Sequence, residues 1–312
     1  MRSRFRFNTL LIALFTATVL PAMHASADEA IRVTYAGSMG VVMDKFIGPS
    51  FAGREHLSYQ GQGQGAYGMA RLLAAQKIVA DVFVSVNPGP MDILQQAGMV
   101  EQAVPVASTR MVIAYNPKSS YAAAFKNGSD DSAGNAWWRV LQTPGLRFGR
   151  TDPAVDPQGQ NIIFTLQLAE KYYQQPGLAK NVLGDIENPQ QVFMEGSLLT
   201  RLEAGQLDAA SGYESATISA KLPYVALPDQ INLSNPDYAK EWYETVSFQI
   251  HGRDGKDSIV RAQALVFYAA VLKNAPNPEA ARKFVSFLQS AEGQALFKQN
   301  GYGQPKGDAL YH

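Results

Sequence analysis

The loop at residues 36–40 (AGSMG) combines residue types that hold small anions in proteins. Gly37 allows the backbone to approach a ligand closely, the Ser38 hydroxyl can donate a hydrogen bond, and the start of a following helix offers unpaired N–H groups. Together these groups can form an anion-binding site. Serine is also common at helix N-termini, where its hydroxyl caps the helix, so the spacing alone leaves binding and capping equally open.

A second loop, residues 61–68, contains the spacing G-x-G-x-x-G at Gly63, Gly65 and Gly68. In a dinucleotide-binding fold this motif needs an acidic residue at the end of the second strand to hold the ribose, whereas Asp81 lies at the start of the next predicted strand. We therefore do not predict a nucleotide cofactor. Successive glycine N–H groups at a helix start can instead converge on one anion.

The third loop, residues 151–159 (TDPAVDPQG), directly precedes a predicted helix. An acidic residue here usually caps the helix. Beside an anion site it would repel the ligand, unless the ligand is protonated or contains a metal centre that accepts a carboxylate oxygen. Asp156 is therefore predicted to be either a helix cap or a direct ligand of such a centre, and the sequence pattern favours the cap.

Residues 36–40 also form a variant of the nucleophile elbow, the strand–turn–helix that carries the catalytic serine of α/β hydrolases. A Ser38 nucleophile would need a histidine, and the chain after residue 27 contains His56, His251 and His312. His251 falls in a glycine- and aspartate-rich hairpin. The elbow would also follow the first strand, which leaves no earlier strand and loop to supply the oxyanion donor. A Ser38 hydrolase is the alternative of a different class, and we predict a binding protein rather than an enzyme.

The composition excludes several other classes of function. The 27 basic and 27 acidic residues give a net charge of zero, which argues against a nucleic-acid partner. A small anion, by contrast, can be held by backbone N–H groups without net positive charge. The chain has no cysteine, so it has neither disulfides nor thiolate metal sites. No His/Asp/Glu cluster has metal-ligand spacing, and no cofactor is predicted.

Residues 1–27 have the pattern of a secretory signal peptide. Three arginines precede an apolar run at residues 10–20, and the small-residue triplet at residues 25–27 (ASA) follows. The apolar run is too short for a stable membrane span. We therefore expect cleavage after Ala27 and a periplasmic mature protein.

Strands and helices alternate along the rest of the chain, which predicts an α/β fold with mostly parallel sheets and flanking helices. Each of the three loops would then follow a strand and precede a helix, at the sheet edge where α/β proteins bind ligands. The second strand is expected to end at the Gly/Gln run of residues 61–65, and the polar segment 119–135 is expected to be exposed. The predicted strands are residues 31–35, 57–59, 81–86, 110–115, 146–149, 208–213, 224–227, 246–250 and 264–272, and the predicted helices are residues 41–51, 67–75, 91–97, 160–173, 192–205, 278–289 and 291–299.

Six segments make the chain similar to the periplasmic molybdate/tungstate-binding proteins of ABC importers, in the branch with a six-coordinate metal. They are residues 36–38 (AGS), 80–82 (ADV), 111–115 (MVIAY), 156–157 (DP), 227–234 (LPDQINLS) and 290–294 (SAEGQ). The resemblance covers nearly the whole chain after residue 27. It implies that Ser38 donates to an oxyanion oxygen, that Asp156 is one of two carboxylates approaching the metal, and that Tyr213 closes the pocket.

The chain departs from this family at two positions. Ala66 stands where the family has a second serine, so only its backbone N–H can donate. Gly212 stands where the family has its second carboxylate, and Glu214 lies on the other side of Tyr213. If Glu214 does not reach the centre, we expect a tetrahedrally held oxyanion or a different anion, such as sulfate, phosphate or a small carboxylate.

The resemblance also implies a two-lobed type II periplasmic-binding fold with the ligand in the cleft. Lobe one is expected to comprise residues 28–112 plus 224–312, and lobe two residues 113–223. Lobe one would contribute Gly37, Ser38 and the amides of Gly65 and Ala66, whereas lobe two would contribute Asp156, Gly212 and Tyr213. Ligand contacts from both lobes would stabilise the closed state. The implied partners are a small oxyanion and a membrane permease, and we expect a monomer.

Overall fold

The computed structural model describes residues 30–128, 136–251 and 257–311. The predicted signal peptide, the end of the polar segment 119–135 and residues 252–256 lie outside these residues. Among the described helices, none has the length and apolar character needed to cross a membrane.

Strands and helices alternate along the described chain. In chain order, the strands are β1 (Ala30–Ala36), β2 (Ser58–Gln64), β3 (Val82–Ser85), β4 (Val104–Ser108), β5 (Met111–Tyr115), β6 (Phe148–Thr151), β7 (Val192–Phe193), β8 (Ala209–Tyr213), β9 (Tyr224–Ala226), β10 (Ser247–His251), β11 (Asp257–Arg261) and β12 (Val266–Val271). The α-helices are α1 (Gly40–Val42), α2 (Gly48–Glu55), α3 (Ala66–Ala74), α4 (Pro88–Gln96), α5 (Ala122–Lys126), α6 (Trp137–Leu141), α7 (Pro157–Tyr173), α8 (Leu178–Leu183), α9 (Glu195–Glu203), α10 (Glu214–Ser219), α11 (Asp229–Asn232), α12 (Pro278–Gln289) and α13 (Ala291–Gln299).

The strands form two five-stranded sheets and a separate β10–β11 hairpin. The first sheet has the order β2-β1-β3-β12-β4, and the second has the order β7-β6-β8-β5-β9. This confirms the predicted α/β class. The pairing is more antiparallel than expected, because β12 runs against β3 and β4 in the first sheet, and β5 runs against β8 and β9 in the second. Parallel pairing is found between β1 and its neighbours β2 and β3, and between β6 and its neighbours β7 and β8.

The chain passes between the two sheets twice. The first crossing is the short connection between β4 and β5, and the second lies between β9 and β12. Strand β9 pairs with β5 in the second sheet, although the sequence places residues from 224 onwards in lobe one. Every residue of β3, β5, β6 and β8 is buried, which agrees with the near-continuous apolar runs of β3 and β5.

Strand β2 continues through the Gly/Gln run that the sequence predicts to end it. Residues 61–64 pair in parallel with β1, from Gly61 opposite Val33 to Gln64 opposite Ala36. The glycine composition suits this strand because a Cβ at Gly63 would lie 2.5 Å from Cε2 of Tyr35. The neighbouring strand thus overrides the low strand propensity of glycine.

The predicted helix at residues 192–205 is wrong at its N-terminal end. Val192 and Phe193 form β7, which pairs with Arg150 and Thr151 of β6. Helix α9 therefore begins only at Glu195. This change puts Glu195 at the start of a helix that directly follows a strand, which is the type of position at which α/β sheets bind ligands.

Candidate functional site

Loops from the two sheets meet at the C-terminal ends of β1, β2 and β6. A Cβ at Gly65, which precedes α3, would lie 2.8 Å from the carbonyl oxygen of Val155 and 3.7 Å from Cβ of Asp156. In the same pair of segments, Nη1 of Arg71 in α3 donates to the carbonyl oxygen of Ala154 at 3.3 Å. The sequence-predicted loops therefore lie against each other.

Ser38 does not cap the helical segment in which it lies. It is the second residue of a 3₁₀ turn, Gly37–Met39, whose N-cap residue is Ala36. The Ser38 Oγ atom is buried and has no hydrogen-bond partner among the described residues. Its backbone N–H donates to Oε1 of Glu195 at 2.9 Å. Of the two roles that the spacing left open, capping is not observed, and the hydroxyl remains available to a ligand.

Glu195 was not predicted from the sequence, and it lies directly against the Gly37–Ser38 turn. A Cβ at Gly37 would collide with Oε2 of Glu195, so the glycine lets the glutamate side chain take this position against the turn. The Glu195 residue is half-buried, but its Oε2 atom is buried and lacks a hydrogen-bond partner. Burial raises the pKa of Glu195 well above its ordinary value, the charge of Asp156 raises it further, and the N–H groups of Ser38 and Gly37 oppose the shift.

Asp156 is a helix cap, as the sequence pattern favoured, and one of its carboxylate oxygens remains unpaired. Its Oδ1 accepts the backbone N–H of Gln158 at 2.9 Å and so caps α7. Its Oδ2 is buried with no hydrogen-bond partner, and the residue as a whole is 3% exposed. Burial raises the pKa of Asp156 to about 6, although the N–H of Gln158 partly offsets this shift. One oxygen thus positions the side chain, and the other is left for a ligand.

Tyr213 lies in the interior, close to both carboxylates. It is fully buried, and its hydroxyl oxygen accepts a hydrogen bond from Nδ2 of Asn161 at 3.0 Å. Burial raises its pKa well above the ordinary value, and the charges of Asp156 and Glu195 raise it further. Because the oxygen accepts from Asn161, the hydroxyl hydrogen can be donated to a ligand.

The two positions at which the sequence departs from the related family differ in their surroundings. Ala66 is the buried first residue of α3, where its N–H has no partner within the helix. Gly212 lies within β8, and a Cβ there would be 2.7 Å from Oγ1 of Thr217, so the position has no room for a carboxylate side chain. Glu214 pairs with Arg110 and accepts a hydrogen bond from the Tyr224 hydroxyl at 2.9 Å.

A cavity of 370 Å³ is lined by Ser38, Gln158 and Glu195 and by the charged pair of residues Asp44 and Lys45. Asp156, Tyr213, Gly65 and Ala66 are not among its lining residues. The volume is within the range of small-molecule sites. Within the described ranges, no group of three or more His, Cys, Asp or Glu side chains could hold a metal ion.

Three of the buried polar atoms that lack a well-formed hydrogen bond in the described part of the chain lie close together at this place, namely Ser38 Oγ, Asp156 Oδ2 and Glu195 Oε2. The Ser38 hydroxyl lowers the pKa of Glu195 and the Thr151 hydroxyl that of Asp156, so these hydroxyls lie near the two carboxyl groups. Leaving such atoms unpaired costs about 1–3 kcal/mol each, and more for charged groups. Unpaired buried atoms also occur elsewhere in the described chain, for example Asn87 Oδ1 and Trp138 Nε1, and the gathering of these three makes this place the candidate ligand site. Two of them are carboxylate oxygens, which are hard metal ligands, and one is a hydroxyl donor. Together they can hold an oxyanion: the carboxylates would approach its central metal atom, and the hydroxyl would donate to one of its oxygens.

The chain is similar to known solute-binding proteins along most of its length. The sequence profile of the family described as bacterial extracellular solute-binding protein matches residues 31–303. The chain is 29% identical over 306 residues to an uncharacterized solute-binding protein of Petrotoga mobilis, covering 96% of this chain and 91% of that protein. It is 26% identical over 321 residues to the molybdate/tungstate-binding protein WtpA of Thermococcus kodakarensis, covering 93% and 88%.

Among solved structures, the periplasmic molybdate-binding protein of Azotobacter vinelandii has the same fold. The TM-score is 0.61 at 14% sequence identity, and the match covers 88% of this chain and 100% of that one.

Proposed function

Because the chain belongs to the bacterial extracellular solute-binding protein family, we propose that it captures molybdate or tungstate in the cleft between its two sheets and delivers the anion to the membrane permease of an ABC importer. One observation carries the proposal. Ser38 Oγ, Asp156 Oδ2 and Glu195 Oε2 are buried without partners at the place where loops of the two sheets meet. The binding of molybdate or tungstate by the WtpA relative supports this choice of ligand.

The acidic character of the site favours a group 6 oxyanion over sulfate. When ionised, Asp156 and Glu195 would repel sulfate, which carries no proton at neutral pH and whose central atom accepts no further oxygen ligands, whereas phosphate keeps a proton that a carboxylate can accept. Burial raises the pKa of both groups and so weakens this repulsion as the pH falls. Molybdenum and tungsten in their oxyanions can extend their coordination from four to six oxygens, and carboxylate oxygens are suitable ligands for such hard centres. The anion oxygens would meet the Ser38 hydroxyl, the Tyr213 hydroxyl and the N–H groups of Gly65 and Ala66.

We place the two lobes on the two sheets. Lobe one contains residues 28–112 and most of 224–312, and lobe two contains residues 113–223 together with β9, because β9 pairs with β5. Closure about the two crossings would bring Ser38 and Gly65 of lobe one to Asp156 and Tyr213 of lobe two. The protein would act as a monomer in the periplasm after removal of residues 1–27.

The surroundings of Ser38 support binding rather than hydrolysis. A serine nucleophile needs a base within hydrogen-bond reach, and Ser38 Oγ has no hydrogen-bond partner among the described residues. His56 is exposed, and the exposed His251 pairs through Nδ1 with Oδ1 of Asp257 at 2.7 Å on the β10–β11 hairpin.

Calorimetric titration of the purified mature protein with molybdate, tungstate, sulfate, phosphate and citrate tests the proposal. We expect tight binding of molybdate and tungstate and much weaker binding of the other three. If the protein binds none of the oxyanions, the proposal is refuted. If it prefers sulfate or phosphate, that anion is its ligand and not molybdate or tungstate. Hydrolysis of an ester by the wild type, and not by Ser38→Ala, would establish the enzymatic alternative.

A further inference from the structure

The hydroxyl of Tyr302 contacts the turn that carries Ser38. It donates to the Ser38 carbonyl oxygen at 3.4 Å. Tyr302 is itself held firmly in lobe one. The residue after it, Gly303, exchanges backbone hydrogen bonds of 3.0 and 2.9 Å with Ser108 at the end of β4. The Tyr302 ring packs against two buried rings of lobe one, with centroids 5.3 Å away in each case, Phe267 and Phe297.

Two further hydroxyl groups continue this contact. The Ser215 Oγ atom lies 3.1 Å from Oγ1 of Thr109, and the Ser215 N–H donates to the same Thr109 oxygen at 3.4 Å. Because Thr109 Oγ1 accepts that N–H, its own hydrogen can be donated to Ser215 Oγ. Burial raises the pKa of Tyr302, and a hydrogen bond from the Ser215 hydroxyl opposes this shift. Each hydroxyl can thus donate to the next, from Thr109 through Ser215 and Tyr302 to the Ser38 carbonyl.

This chain of hydroxyl groups ends where the polypeptide passes between the two sheets. Thr109 lies between β4 and β5, in the first crossing. Its backbone N–H donates at 3.1 Å to the carbonyl oxygen of Leu265, the last residue before β12 and thus the end of the second crossing. Thr109 and Ser215 are both buried. The chain therefore connects the ligand turn to the place about which the two lobes would move.

The Ser38 backbone is consequently held from two directions. Its N–H donates to Glu195 of lobe two, whereas its carbonyl accepts from Tyr302 of lobe one. Tyr302 in turn receives its own hydrogen bond from Ser215, which lies in α10 of lobe two. Hydrogen bonds in such a chain strengthen one another, so a movement of α10 away from Tyr302 would also weaken the bond to Ser38.

We propose that Tyr302 is a positioning residue, which holds the Ser38 turn in its ligand-accepting position and couples this turn to closure of the lobes through Ser215 and Thr109. The coupling to closure rests on the proposed function, since it requires a ligand held by both lobes. Tyr302 acts through the Ser38 carbonyl and not through the anion.

The variant Tyr302→Phe tests this role because it removes the hydroxyl and keeps the ring. We expect the molybdate affinity, measured by calorimetry, to fall about threefold to tenfold, as for the loss of one hydrogen bond. Ser215→Ala should also weaken binding. The double variant should bind no more weakly than Tyr302→Phe, because both substitutions break the same chain. If the two losses multiply, or if neither variant loses affinity, the proposal is wrong.

The matched control is Tyr268→Phe. Tyr268 is a buried tyrosine of β12, and its hydroxyl oxygen would lie 3.8 Å from a Cβ at Gly307. This variant should keep the molybdate affinity of the wild type. A loss as large as that in Tyr302→Phe would show that any missing hydroxyl in lobe one weakens binding, which would overturn the role assigned to Tyr302.

Hydrogen exchange of the ligand-free protein separates this proposal from the proposed function. In Tyr302→Phe, the amides of residues 37–43 should exchange at least about threefold faster than in the wild type and in Tyr268→Phe, because the Ser38 turn has lost its support. Equal exchange in the three proteins would overturn the proposal, whatever the protein binds. If the wild type binds no oxyanion, the proposed function and the coupling to closure are refuted, and the exchange rates still decide whether Tyr302 holds the turn.

Discussion

At the residue scale, the candidate site holds buried polar atoms that the rest of the described chain leaves unpaired. Ser38 Oγ and Asp156 Oδ2 have no partner among the described residues, although neighbouring groups hold both residues in place. Such atoms weaken the ligand-free protein and strengthen the complex, since each gains its first hydrogen bond or coordinate bond from the ligand. Stability and binding should therefore respond in opposite directions to substitutions here.

Ser38→Ala removes a buried hydroxyl that has no partner in the ligand-free protein. We expect molybdate affinity to fall about tenfold or more, because a hydrogen bond to a charged group contributes about 1.5–3 kcal/mol. The ligand-free melting temperature should stay unchanged or rise slightly. Calorimetry and thermal unfolding measure the two effects. The control is Ser197→Ala, whose exposed hydroxyl donates to the Met194 carbonyl, and equal affinities for the two variants would contradict the assignment of Ser38.

The raised pKa of Asp156 predicts how the ligand-free stability depends on pH. Its pKa rises from 3.8 to about 6 through burial. Between those values the folded protein keeps a proton that the unfolded chain has lost. The stabilisation is therefore fully present below pH 3.8 and is lost as the pH rises through about 6. The loss should be on the order of 1–3 kcal/mol.

Urea unfolding of the ligand-free protein across this pH range measures that loss. In Asp156→Asn, which keeps a good helix cap, the free energy of unfolding should fall less steeply with pH than in the wild type. If the free energy of unfolding depends on pH in the same way in both proteins, Asp156 does not titrate with a raised pKa.

At the scale of the elements, β7 and β8 determine which acids reach the cleft. Pairing of β7 with β6 ends the strand at Phe193, so that α9 starts with Glu195. In β8, Gly212 packs against Thr217, whose Oγ1 donates to the Tyr213 carbonyl at 2.9 Å. The space beside β8 is thus filled by the first turn of α10.

Gly212→Ala should destabilise the protein because its Cβ would lie 2.7 Å from Oγ1 of Thr217. Overpacking of this kind costs about 1–3 kcal/mol, and urea unfolding measures it. The control is Gly53→Ala in α2, where a Cβ meets nothing within 4 Å. It should stabilise the protein by about 0.5–1 kcal/mol through helix propensity. If Gly212→Ala is as stable as the wild type, the first turn of α10 can shift to accommodate the added methyl group without a cost in stability.

At the scale of the whole molecule, three contacts join the loops of the two sheets, which is the arrangement expected for the closed state of the proposed cleft. Ser38 meets Glu195, Gly65 meets Val155, and Arg71 donates to the Ala154 carbonyl. Closure should be favoured by the ligand, because an anion held by both lobes binds the closed state more tightly than the open one.

Gly65→Ala should therefore weaken binding without altering the stability of lobe one. Its φ of −53° suits any L residue, and a Cβ would meet the Val155 carbonyl oxygen of the other lobe at 2.8 Å. Overpacking only in the closed state should cost about 1–3 kcal/mol of affinity, or about tenfold. The control is Gly68→Ala in α3, the helix that follows Gly65, because a Cβ at Gly68 meets nothing within 4 Å.

Calorimetry gives the affinities of these two variants, and small-angle scattering gives the contraction on adding molybdate. A Gly65→Ala protein that binds and contracts like the wild type would show that the loops do not meet in the bound state.

The sequence by itself determined the α/β class, most strands and helices, and the three loops with Ser38, Gly65 and Asp156. These features depend on local patterns, namely buried apolar runs, amphipathic helices and small or polar residues at strand ends. For Asp156 the sequence left capping and ligand binding open, and the structure shows the cap.

Only the tertiary structure decided that Glu195 belongs to the site. Glu195 and Ser38 are 157 positions apart in the sequence. They make contact because β7 pairs with β6 and ends at Phe193, so that α9 begins at Glu195. Likewise β2 runs through its glycines because β1 supplies the hydrogen bonds and the Tyr35 ring fills the space at Gly63. Strand pairing between distant segments leaves no local trace in composition or periodicity, so the partner of Ser38 could be identified only from the folded chain.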